Sequence, residues 1–242
     1  MWSDRADDSR DGFAIATDLH KTLQAAHEPG PYVMVGASLG GPLVMIFTHD
    51  FGNEVAGIVF VDAAYPEQLR RLEQATGRKE AEDTPLAFKV LADLAWTGLP
   101  RLILPTPDLP ELPPDVVKAI GAYQAPSLRP AFEEAAAMPR IFQQASPFRN
   151  LGDRPLAVLT RGKPWEAYSE AQRKGSGMTR EQFQHMLEAW WAMQDEVAHW
   201  SSNSTHRRLD DSSHVIQLER PDAVIEAIRQ VVEKVRARRP AP

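Results

Sequence analysis

A serine framed by glycines constrains this chain more than anything else in it: Gly36-Ala37-Ser38-Leu39-Gly40-Gly41. Before it, Tyr32-Val-Met-Val35 is wholly apolar, as strands of a parallel sheet buried on both faces are. After it, Pro42 to His49 reads as a helix. A strand that passes into a helix within so few residues forces its turn residue into a strained conformation. The positions two before and two after the serine are therefore expected to lack side chains that would collide. Such a turn lifts the Ser38 hydroxyl above the sheet and sets it at a helix N-terminus, where negative charge is stabilised.

The surrounding pattern is α/β. Val55-Ala-Gly-Ile-Val-Phe-Val61 is a second buried strand and ends at Asp62. Strand, helix and strand over this length make a parallel unit with a right-handed crossover. Arg154–Thr160 gives a third strand and Ser204–Leu209 a weaker fourth. Helical spacing covers Asp11–Ala26, Thr179–Trp200 and Pro221–Arg236. Between the second and third strands the texture changes. Helical patterns over 67–76, 85–96, 114–123 and 127–144 are separated by proline-rich breaks. The expected organisation is a core of 1–65 and 151–242 with a helical cap inserted at 66–150.

Composition excludes several functions. A formal net charge of -6 argues against nucleic acid, because neutralising phosphates needs a basic face. There is no cysteine, so disulfides and thiolate metal sites are out, and no cofactor is implied. The most apolar window, Tyr32–Phe47, is interrupted by glycines and Ser38 and is too short to span a bilayer. Met1-Trp-Ser-Asp-Arg5 lacks the basic start and apolar run of a signal peptide, so a cytoplasmic location is expected.

A serine hydroxyl is a weak nucleophile and needs a base. Of seven histidines, His20, His27, His49, His185 and His199 fall on helical patterns, and His206 falls in the weak fourth strand. His214 differs. It lies in Leu209-Asp-Asp-Ser-Ser-His-Val-Ile-Gln217, a polar loop between a strand and the last helix, where α/β folds place their chemistry. An acid must orient the imidazole. Asp62, at the end of the strand after the serine turn, is the first choice; Glu166, after the third strand, is the second.

With these segments placed, the chain resembles the α/β-hydrolase superfamily, in particular its capped, esterase-like members. Gly30–Gly41, Val55–Asp62 and His214-Val-Ile-Gln-Leu-Glu-Arg-Pro-Asp222 carry the resemblance. It implies a nucleophile elbow at Ser38, a Ser38–His214–Asp62 triad and an oxyanion donor at the Leu39 N–H. Relatives begin with about four further strands and a loop that donates a second oxyanion amide. Met1-Trp-Ser-Asp4 resembles the tail of the loop after those strands, so an N-terminally truncated core is expected. Loss of one donor costs about 10²–10³ in turnover, and activity is expected to be impaired. In the family strand order, the same truncation leaves Tyr32–Val35 at a sheet edge. Two copies are then expected to pair along it as a homodimer, or the N-terminal residues to fold over it.

The activity implied is cleavage of small carboxylic esters with short or medium acyl chains, with thioesters, lactones and peptides open. The competing reading is a folded, dimerising remnant without catalysis.

Overall fold

The computed structural model describes residues 10–79, 86–104 and 112–238, with the backbone alone for 86–89. Two compact units emerge, one comprising the chain up to Arg78 and from Arg140 onward, the other Lys79–Pro139. The second unit is narrower than the expected insertion at 66–150. The physical reason is α3 (Gln68–Thr76), which packs against α7 (Arg180–Ala198) inside the first unit.

In the first unit, α1 (Gly12–Ala25) is capped by Asp11, whose side chain accepts from the Ala14 N–H at 3.0 Å. It leads to β1 (Tyr32–Ala37), α2 (Gly40–Asp50) and β2 (Val55–Val61). After the second unit come β3 (Leu156–Arg161), α6 (Glu170–Ser176), α7, β4 (Ser204–Leu209), α8 (Ile216–Glu219) and α9 (Pro221–Arg238). The four described strands form one parallel sheet in the order β1-β2-β3-β4. Consecutive parallel neighbours bring every strand's carboxyl end to the same side, which is where the site assembles.

One face of the sheet carries Val59, Val61, Ala157 and Leu159, which meet Ala223, Ala227 and Val231 of α9 in a buried cluster. Gly57 permits that approach, since a Cβ there would lie 2.5 Å from Val231 Cγ1. Burial of these apolar surfaces, at about 25 cal/mol per Å², is what holds α9 down.

Two expectations need correction. β1 is not buried on both faces: Val35 is 45% exposed, because among the described residues β1 has only β2 beside it. The helical patterns at 114–123 and 127–144 are one helix, α5 (Pro114–Ala145), which runs through Pro126, Pro130 and Pro139. Proline's fixed φ is itself helical, and the alanine-rich flanks sustain the helix across the hydrogen bonds it forfeits.

In the second unit, α4 (Leu86–Asp93) is followed by short 3₁₀ turns, and Arg101 Nε donates to the Ala122 carbonyl of α5 at 3.1 Å. The expectation that N-terminal residues cover β1 concerns 1–9, outside the described residues. Among the described residues no helix is long and apolar enough to cross a membrane.

Candidate active site

The turn between β1 and α2 holds Ser38 at φ 50°, a left-handed conformation that a residue with a side chain adopts only under constraint. Three hydrogen bonds impose it. The Ser38 N–H donates to Val61 O at 3.3 Å, and Ser38 O accepts from Gly41 N at 3.0 Å and Ala64 N at 2.8 Å. The turn is thus tied to the end of β2. Gly36 is required because a Cβ there would lie 2.7 Å from the Gly40 carbonyl oxygen, and Gly41 because its Cβ would lie 2.6 Å from that of Ala63. Gly40, however, faces open space. The steric demand on the far side of the serine therefore falls three residues on, and the expectation of a clash two residues on is corrected.

Asp62 mirrors Ser38 one strand over. It follows the last residue of β2 at φ 45°, with its N–H donating to Leu159 O at 2.7 Å. Its carboxylate is fully buried, and every approach to it is a donor. Oδ1 accepts from Trp190 Nε1 at 2.7 Å and the Arg161 N–H at 3.1 Å. Oδ2 meets His214 Nδ1 at 2.6 Å and Arg161 Nη1 at 3.3 Å. A buried charge is tolerated only when satisfied in this way.

The imidazole of His214 bridges the two strand ends. Since a carboxylate only accepts, Nδ1 carries the proton toward Asp62. That leaves Nε2 to accept from the Ser38 hydroxyl, 3.1 Å away. The loop that presents His214 is fastened at both ends. Gly162 N and Lys163 N donate to Ser212 O at 3.2 and 3.0 Å, and Ser213 N donates to Glu219 Oε2 at 2.5 Å. Burial opposes the charge of Glu219, but the Ser213 N–H and the Lys163 ammonium outweigh it and hold the carboxyl below its ordinary value.

Of the residues singled out from the sequence, Ser38, Asp62 and His214 are brought together, and Leu39 stands as the N-cap of α2 beside the serine. Glu166 is not brought there. It lies half exposed on the surface, paired with Arg180 at 2.5 Å. Sequence reasoning missed Trp190 and Arg161. A signal for Arg161 existed: it ends β3 as Asp62 follows β2 and Ser38 follows β1, so all three occupy the same edge of the sheet. Among the described residues no group of three or more His, Asp or Glu side chains is placed to hold a metal ion.

Comparison with known proteins bears on this geometry. The sequence pattern of a family described as "Alpha/beta hydrolase family" matches residues 2–227. Among solved structures, the chain is similar to MenH from S. aureus, at 14% identity and TM-score 0.58, over 97% of this chain and 80% of that one. It is similar to Est816, described as an N-acyl homoserine lactone degrading enzyme, at 19% identity and TM-score 0.56, over 95% and 78%. A thermophilic esterase from Thermogutta terrifontis superposes at 19% identity and TM-score 0.55, over 97% and 76%. At these identities the likeness speaks for the fold. No curated protein matches the sequence.

Proposed function

The chain belongs to the alpha/beta hydrolase family, and from that premise we propose that it is a serine hydrolase cleaving carboxylic esters through an acyl-enzyme. One observation carries the reading: a continuous relay from Asp62 through His214 to Ser38, at 2.6 and 3.1 Å. Ser38 Oγ attacks the ester carbonyl carbon while its proton passes to His214 Nε2. Asp62 stays ionised and stabilises the imidazolium. The carbonyl oxygen becomes an oxyanion, met by the Leu39 N–H at the amino end of α2. Collapse breaks the ester bond, and the departing alcohol takes the proton from Nε2. Water then attacks the acyl-serine with His214 again as base, which releases the acid and restores Ser38.

The test is a panel of p-nitrophenyl esters from acetate to octanoate, supplemented by a thioester and a lactone. A lactone is an internal ester, and Est816 is described as degrading one. Turnover that falls about 10⁴-fold or more in His214→Ala supports the reading. Turnover unaffected by that change contradicts it. In this reading the helical stretch expected at 66–150 is the cap of the enzyme, less α3, which packs against α7 within the first unit.

We also propose that two copies pair along Tyr32–Val35. The supporting observation is an apolar side chain, Val35, left 45% exposed on a strand that, among the described residues, has only β2 beside it. Light scattering is expected to show a dimer that Val35→Lys converts to monomer. A monomeric wild-type protein would contradict the pairing.

A further inference from the structure

A cleft of about 480 Å³ opens directly beside His214. One wall is aromatic: the ring of Phe183 lies 5.3 Å from that of Trp165 and 5.4 Å from that of Tyr168. The charged groups on its lining are two guanidiniums, Arg161 and Arg173, and among the described residues no carboxylate lines it. Lys163 and Glu219, close by, already satisfy each other at 3.1 Å.

Arg161 is under-used. A guanidinium offers five N–H donors in a planar fork. Here Nη1 reaches Asp62 Oδ2 only at 3.3 Å, and Nη2 points at Met186 Sδ, a weak acceptor, at 3.6 Å. Nε is buried and among the described residues has no partner at all. The side chain is 16% exposed, and its plane rests on the Trp190 ring with Cζ 4.3 Å from the centroid. With a weak sulfur acceptor at Nη2 and a long contact at Nη1, the Nη groups are the donors left for an acceptor that enters the cleft. Asp62 does not answer the need, since its single charge is shared with His214. Tyr168, on the same lining, has its hydroxyl pushed up by burial, against the pull of Arg161, and so keeps its proton at neutral pH.

We propose that Arg161 receives a carboxylate carried by the substrate, so that the protein selects esters that combine an aromatic or apolar body with an anionic group. The fork geometry suits a carboxylate, the aromatic wall suits the body, and Arg173 adds a second positive charge at the same cleft. The proposal rests on the hydrolase reading for the ester bond, but not for the recognition of the anion.

Binding separates the two. The Ser38→Ala protein is titrated calorimetrically with 4-acetoxybenzoate and with its methyl ester, neither of which it should cleave. The free carboxylate is expected to bind about tenfold or more tightly than the methyl ester. Arg161→Gln, in the same background, is expected to erase the preference, and Arg173→Gln to reduce it by a smaller factor. Equal binding of the two esters, tighter binding of the methyl ester, or no binding of either would overturn the proposal. So would a preference that survives Arg161→Gln. If that variant fails to fold, the pairwise comparison in the Ser38→Ala protein and Arg173→Gln in the same background still decide. Failure of the hydrolase reading would instead show as wild-type protein that turns over neither ester while the Ser38→Ala protein still prefers the carboxylate.

Discussion

Two histidines, one within β4 and one in the loop that follows it, stand in the same local arrangement. His214 joins Asp62 through Nδ1 at 2.6 Å and Ser38 Oγ through Nε2 at 3.1 Å. His206 joins Asp195 through Nδ1 at 3.0 Å and Thr160 Oγ1 through Nε2 at 2.8 Å. Acid, imidazole and hydroxyl are present in both. The differences lie in everything around them. Thr160 is fully buried within β3, so no carbonyl can reach its hydroxyl, whereas Ser38 sits at a strained turn at the head of α2. Asp62 is fully buried and held by four contacts, whereas Asp195 is two-thirds exposed, where screening weakens its hold on the imidazole. An acid–base–hydroxyl relay is thus cheap for a protein to make. Access, strain and oriented donors are what give one of these two a chemistry.

The sharpest way to break the comparison is to remove each hydroxyl. Ser38→Ala is expected to lower p-nitrophenyl ester turnover by about 10⁶-fold, while Thr160→Val leaves it within about twofold. Removing each acid's charge comes next. Asp62→Asn is expected to cost about 10⁴ in kcat, and Asp195→Asn no more than about twofold, measured in the same assay. Trp190→Phe keeps an aromatic ring but deletes the donor to Asp62 Oδ1 together with part of the buried indole. A loss of about 1–3 kcal/mol in urea unfolding is expected, with about a tenfold loss in kcat.

The smallest effect concerns His206. Burial, against the pull of Asp195, holds its imidazole below the ordinary value. Below about pH 6.5 the unfolded chain therefore binds a proton that the folded one does not. This contribution to stability is present above that pH and is lost as the pH falls towards the folded value. His206→Gln is expected to flatten the pH profile of stability in that window and leave ester turnover unchanged.

The parts of the molecule legible in the sequence are those with local signals. Short apolar runs mark β1, β2 and β3, and the glycines at 36 and 40 mark the turn at Ser38, although the steric need on its far side falls on Gly41. His214 stands out because it alone of the histidines falls in a polar loop before the last helix. Less was legible where the determinant is a partner far along the chain. Trp190 reaches Asp62 across 128 positions, and a Trp-rich helix gives no hint of which ring turns its N–H inward. The short α6 and α8 carry too few turns for a periodicity to show. The exposure of Val35 depends on what lies beside β1, which its own apolar run does not encode.

The central claim is that Ser38 is an activated nucleophile, and a fluorophosphonate probe followed by mass spectrometry of the labelled peptide tests it directly. One covalent adduct on Ser38 is expected, slowed strongly in His214→Ala and absent in Ser38→Ala. An unlabelled wild-type protein, or equal labelling after Ser38→Ala, would contradict the account and leave a folded hydrolase scaffold without its reaction.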